Sequence, residues 1–171
     1  MKKYEFTGEV KVEFGITLHR IRAVISFGLV VKGELGGWIE KEDNLSQNGN
    51  AWVYGDAEVY GDAEVYGDAE VYGNAEVYGN AKVCGNAKVY GDAKVYGDAD
   101  YIVFKNWWSS GRWFTWTRSN NKWRVGCFFG AGAELIAKAY KDSEQSGREY
   151  ERVVKYVESI LEDENNEKVT K

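Results

Sequence analysis

Few side chains in this chain could do covalent chemistry. His19 is the single histidine, and Cys84 and Cys127 are the two cysteines. His19 belongs to an alternating run with Ile21, Ala23, Ile25 and Phe27, while Arg20 and Arg22 take the opposite side. An imidazole on the apolar face of a strand reads as structural rather than as a general base. A thiol nucleophile needs a base beside it to draw off its proton, and Cys84 has no histidine within sequence reach. The two cysteines also lack CxxC spacing, so a reduced cytosolic pair is expected. One histidine is too few for a three-histidine zinc site. No catalytic residues, no metal ligands and no cofactor site are therefore expected, and the chain is expected not to be an enzyme.

Charge and aromatic patterning point to binding. Asp56, Glu58, Asp62, Glu64, Asp68 and Glu70 place six acids in one short stretch with no base between them. Such a run could engage a basic partner surface or imitate nucleic acid; it could equally be a solvated face. The following stretch opposes Glu76 with Lys82 and Lys88, which argues against sustained mimicry. Residues 101–129 carry Lys105, Arg112, Arg118, Lys122 and Arg124 and no acid. Trp107, Trp108 and Trp113 are interleaved with them. Trp107, Trp108, Arg112, Trp113, Arg118, Lys122 and Arg124 are accordingly the candidate surface for a protein or for single-stranded nucleic acid or a nucleotide. The alternative is that these aromatics only close the end of a solenoid.

The element that must position these groups is a repeat. Between Asn50 and Asp100 the phrase Gly-Asp/Asn-Ala-Glu/Lys-Val-Tyr recurs, with valine at Val53, Val59, Val65, Val71, Val77, Val83, Val89 and Val95. A strict short period means a solenoid of stacked units. Alternation points Ala and Val inward and Glu/Lys and Tyr outward, and Gly-Asx supplies each corner in a chain without proline. If three hexads make one coil, residues eighteen apart stack. Glu64 then meets Lys82, Glu70 meets Lys88, and Glu76 meets Lys94. The tyrosines form columns Tyr54/Tyr72/Tyr90 and Tyr60/Tyr78/Tyr96, with Tyr66 over Cys84. Such columns can bind coils together or offer an amphipathic surface for self-association, so a homo-oligomer is expected through one of these faces.

These hexads resemble the hexapeptide repeat of left-handed parallel β-helix proteins, and about three coils are implied. The N-terminal stretch from Leu18-His-Arg-Ile-Arg-Ala-Val through Gly36-Gly-Trp-Ile and Asn44-Leu-Ser-Gln to Trp52-Val-Tyr resembles bacterial and prophage β-helix proteins labelled transferases or polymer-forming proteins. Lys105-Asn-Trp-Trp-Ser-Ser-Gly-Arg is similar to a tail module of such phage proteins. Hexapeptide β-helices are best known as acyltransferases, whose catalytic histidine sits on or beside the coils, often with an extruded loop. Here the hexads run from Ala51 to Asp98 without insertion and hold no histidine, so at most a degenerate acyltransferase is implied.

The rest of the chain organises around the rod. Residues 1–49 form an N-terminal β cap, 50–100 the β-helix, and 101–171 a small α+β module. In that module Arg112–Arg118 and Lys122–Phe128 read as strands joined at Asn120-Asn121. Phe114, Trp116, Trp123, Val125 and Cys127 share one face; Trp113, Thr115, Thr117 and Arg124 share the other. Two helices follow, broken at Ser146-Gly147, and residues from Asp163 onward are expected to fray. The segments carry net charges of 0, −7 and +2, which sum to the chain's −5. No apolar run approaches the roughly 20 residues of a membrane helix, and no signal-peptide pattern is present, so a soluble cytoplasmic protein is expected. The prophage resemblance implies a bacterial host protein as partner, with blocking of an antiphage-defence component as the task.

Overall fold

The computed structural model describes residues 2–106 and 110–169 of the 171-residue chain. Its centre is a parallel β-solenoid of about three turns. A long hairpin, β1 (Tyr4–Glu13) and β2 (Ile16–Ala23), leads into β3 (Leu35–Ile39). Eight two-residue strands follow at six-residue intervals: β4 (Trp52–Val53), β5 (Glu58–Val59), β6 (Glu64–Val65), β7 (Glu70–Val71), β8 (Glu76–Val77), β9 (Lys82–Val83), β10 (Lys88–Val89) and β11 (Lys94–Val95).

The coil has three faces because strands three hexads apart pair in parallel. One sheet runs β1-β2-β3-β5-β8-β11, a second β10-β7-β4, and a third β6-β9. Each hexad alanine from Ala51 to Ala93 and each valine is buried, and this small-then-branched column fills the narrow interior. At the corners glycine takes the left-handed region, as at Gly55 (φ 60°), and the tyrosine carbonyl before it accepts from the alanine amide after it (Ala57 N to Tyr54 O, 3.1 Å). Glycine is needed there for space as well: a Cβ on Gly73 would lie 2.8 Å from the carbonyl of Gly91 one coil below.

The first coil is longer than the repeat. Ile39 pairs with Val59, and Leu45 bridges to Val65, so both occupy valine slots without belonging to a hexad. Each separation is twenty residues instead of eighteen. Regular stacking begins where Asn50 N donates to Gly67 O.

Both open ends of the rod are satisfied by side chains, as buried backbone groups require. At the N-terminal end Lys3 Nζ donates to Ala51 O (2.8 Å), and Asn44 Nδ2 donates to Gly61 O and Ala63 O (3.1 and 2.9 Å). At the other end the last-coil amides of Lys82, Lys88 and Lys94 donate to Asp98 Oδ1, Thr115 Oγ1 and Ser119 Oγ (3.1, 2.9 and 2.7 Å).

The C-terminal module is a four-stranded antiparallel sheet, β12 (Tyr101–Lys105), β13 (Trp113–Thr117), β14 (Lys122–Val125) and β15 (Phe128–Gly130), under helices α1 (Gly132–Asp142) and α2 (Glu144–Val169). Phe114, Trp116, Trp123 and Val125 face Leu135, Ala139, Tyr150, Val154 and Val157 in a second core. Thr115 and Thr117, on the other side of β13, are buried as well. Three expectations are corrected here. Cys127 is exposed instead of sharing the core, because the turn at Gly126 (φ 56°) ends the alternation. The helices break at Ser143, an extended residue, while Gly147 lies inside α2 against the Tyr140 ring. The helix also continues through 163–169, where fraying was expected, and the Arg118–Glu164 pair ties that stretch to the sheet. Among the described residues no helix is long and apolar enough to cross a membrane.

Candidate binding surfaces

The six acids of the early coil each have a partner. Arg20 approaches Asp56 (3.6 Å), Lys11 pairs with Glu58, Lys41 with Asp62 (2.9 Å), Lys82 with Glu64 (3.3 Å) and Lys88 with Glu70. Asp68 accepts from Asn50 Nδ2 (2.8 Å). The cations come from the N-terminal cap and from the next coil, so the stretch is a compensated ladder rather than a bare negative stripe. Lys94 completes the series on Glu76 (2.9 Å).

The tyrosines pack along the rod. Tyr54 stacks on Tyr72 with centroids 4.2 Å apart, and Tyr72 on Tyr90 at 5.3 Å; the column ends on Phe129 of the C-terminal sheet. Tyr60, Tyr78 and Tyr96 form the second column at 5.3 and 5.4 Å. Hydroxyls also donate to the rod's own outward-facing carboxylates, Tyr60 to Glu76 and Tyr72 to Glu70. Burial and these carboxylate partners raise both phenols well above the ordinary tyrosine range. Much of the tyrosine surface is thus spent within the chain.

The tail residues separate into tied and free. Arg118 is held bidentate by Glu164 (2.7 and 3.1 Å). Arg124 lies 4.4 Å from the Tyr90 ring centroid and donates to Cys127 O. Lys122 sits in β14 opposite Thr117. Arg112 lines a cleft of about 290 Å3 with Phe128 and Lys138. Trp113 is 37% exposed, with Lys105 Nζ 5.5 Å from its ring centroid. Trp107 and Trp108 fall outside the described residues.

Trp113 forms one wall of an open groove of about 480 Å3 where the last coil meets the C-terminal sheet. Tyr101, Ile102 and Val103 make its apolar floor, and Cys84 and Asp98 its far side. Tyr101 Oη donates to Lys82 O (2.7 Å) and lies 3.9 Å from Cys84 Sγ, which fixes the floor to the rod. Sequence reasoning placed Trp113 on the strand face opposite the small core, among the candidate binding residues, but not this groove, because the groove exists only where β12 leaves the coil. The one signal was Tyr101 standing in a valine slot. His19 stacks on Phe6 at 4.7 Å, in the N-terminal cap away from the groove. Among the described residues no group of three or more His, Cys, Asp or Glu side chains could hold a metal.

No family model matches the chain. It is similar to the uncharacterized acetyltransferase YdcK of Escherichia coli (strain K12), 34% identical over 62 residues, which is 32% of this chain and 19% of that protein. The chain therefore spans less than a fifth of that protein's length. The likeness fits a hexapeptide-repeat β-helix. It also corrects one expectation: a relative named as an acetyltransferase points against reading the chain as no enzyme, and that reading is withdrawn.

Proposed function

We propose that this protein is a phage-type interaction module that binds a bacterial host protein through the groove beside Trp113 and blocks it. The observation that carries the reading is the groove itself. A large aromatic stands more than a third exposed above an apolar floor, on a frame fixed at both ends. Partly exposed tryptophans over apolar pockets are the usual anchors of protein interfaces. The groove suits an apolar side chain carried on a partner loop, with Lys105 at its rim to meet an acidic neighbour. The prophage resemblance of the N-terminal segment and of the Trp-rich stretch supports a host target, with antiphage-defence components as the class to test. Affinity capture from nuclease-treated bacterial lysate with the tagged wild type and with Trp113→Ser tests it. A host protein held by the wild type, released by the variant and rebound after purification supports the reading. Identical captures by both, or recovery that disappears with nuclease, overturns it.

Acyl transfer is the second reading, favoured by the likeness to the E. coli protein. His19 is the available imidazole, although its ring is stacked on Phe6. Acetyl-CoA-dependent thermal stabilisation, with acetyl transfer lost in His19→Ala, would establish it. No stabilisation by acetyl-CoA would remove it.

A further inference from the structure

The hairpin at the N-terminal end carries an unused edge. β1 is the outermost strand of the six-stranded sheet, so one side of its backbone has no partner strand. Its first part is closed by other means: the amides of Lys3 and Tyr4 donate to Gln47 Oε1, and a bulge before Val10 turns Glu9 N onto Thr7 Oγ1. From Val10 to Glu13 nothing comparable closes it among the described residues. The hairpin turns through Phe14-Gly15 with Glu13 opposite Ile16. The alternation of an antiparallel ladder then aims the N–H and C=O of Val10 and Val12 away from β2. Their side chains share one face and are 56% and 65% exposed; Phe14 at the turn is 90% exposed and holds a left-handed φ of 51°. Natural sheets normally blunt such an edge with charge, proline or a cover. Here Lys11 and Glu13 occupy one face of the edge, but the other is lined by exposed apolar side chains.

We propose that a second copy of this chain pairs with this edge, antiparallel and head to head, about a two-fold axis at Val12. The sequence of the edge selects that register. With Val12 opposite Val12, Lys11 faces Glu13 of the second copy, and Val10 comes beside Phe14 of the second copy. All three pairs are favourable cross-strand neighbours. Glu13 has no cation of its own among the described residues, and Lys11 of the second copy, which also holds Glu58 of its own chain, would stand across from it as a shared counter-charge. Sliding by one pair, to Val10 opposite Val12, would instead set Glu9 against Glu13. The two copies would build one continuous sheet, burying Val10, Val12 and Phe14 of both on a single face. The C-terminal modules, with their grooves, would stand at the far ends. This surface is separate from the tyrosine columns and from the groove, so it stands or falls independently of the function proposed above.

Mass measurement by light scattering after size exclusion, on the full chain over a concentration series, tests the pairing. The wild type is expected at twice the chain mass, and Val12→Glu at the single-chain mass with an unchanged circular dichroism spectrum. Because a two-fold hydrogen-bonded pair puts Cα atoms about 5.5 Å apart, within disulfide range, Val12→Cys in a Cys127→Ser background should cross-link under mild oxidation. The Cys127→Ser chain alone should not. If Val12→Glu fails to fold, that cross-link decides. A wild type that stays at single-chain mass throughout, a folded Val12→Glu that remains double, or a Val12→Cys chain that does not cross-link would each overturn the proposal.

Discussion

Glu58 stands directly over Glu76 in the parallel ladder, two like charges one strand spacing apart. Such a pair is destabilising unless counter-charges flank it. They do: Lys11 reaches Glu58 from the N-terminal hairpin, and Lys94 reaches Glu76 from the coil below (2.9 Å). One face of the rod thus reads Lys-Glu-Glu-Lys, and its upper lysine comes from a segment outside the repeat. Lys11 is the more enclosed of the two and also covers the Trp38 ring at 4.8 Å. Lys11→Met is therefore expected to cost about 1–3 kcal/mol, since it leaves a largely buried carboxylate unpaired. Lys94→Met should lower the melting temperature less, because water can replace an exposed lysine. Paired urea melts check the order.

The side-chain caps predict a second asymmetry. Thr115 is buried and its hydroxyl accepts the Lys88 amide. Thr115→Val keeps the shape and removes the acceptor, so a loss of about 1–3 kcal/mol is expected. Hydrogen exchange at the Lys88 amide should accelerate with it. Ser119→Ala, at an exposed cap, should shift stability less because solvent can take over the Lys94 amide.

Lys3 makes stability depend on pH. Burial pushes its ammonium down from the ordinary 10.5 to about 8. Between those values the unfolded chain holds the proton and the folded chain does not, so stability rises with pH across that window. Below about 8 the cost of burying the charge is present in full. Lys3→Met does not titrate there. Raising the pH from about 7 to about 10 should shift the difference in melting temperature toward the wild type; an unchanged difference would contradict the assignment.

Gly37 admits no side chain. A Cβ there would lie 2.5 Å from Ala57 O and 2.6 Å from Val53 Cγ1. The first obstacle is backbone that is itself bonded to Trp38 N (2.9 Å), so it cannot yield cheaply. Gly37→Ala is expected to cost at least about 1–3 kcal/mol. Gly97→Ala, where nothing lies within 4 Å and φ is extended, is the matched control and should be close to neutral in a thermal melt.

The parts legible in the sequence were those that repeat. Period, inward alternation and charge reversal along the hexads suffice to place Glu64 on Lys82, Glu70 on Lys88 and Glu76 on Lys94, because a constant period turns sequence distance into vertical distance. Where the period fails, so does the reading. Ile39 and Leu45 occupy core slots without a hexad around them. The cations of Asp56, Glu58 and Asp62 come from Arg20, Lys11 and Lys41, whose positions depend on how the cap folds back. Gly147 looked like a helix breaker because glycine usually is one, yet its missing side chain makes room for the Tyr140 ring. Trp113 was visible as an outward aromatic; the groove beneath it arises from the departure of β12 and has no local signature.

The two surplus residues of the first coil matter for how the chain finds its register. Near-identical hexads are degenerate: a strand could settle one coil out of phase and meet almost the same neighbours. The longer first turn breaks that degeneracy. Leu45 fits only above Val65, and Asn44 grips the carbonyls on either side of Asp62, so the first turn provides a unique origin from which every later hexad is counted. Deleting eighteen residues from the middle of the rod should then give a shorter but correctly phased solenoid, whereas removing two from the first turn should produce a mixture of frame-shifted ones.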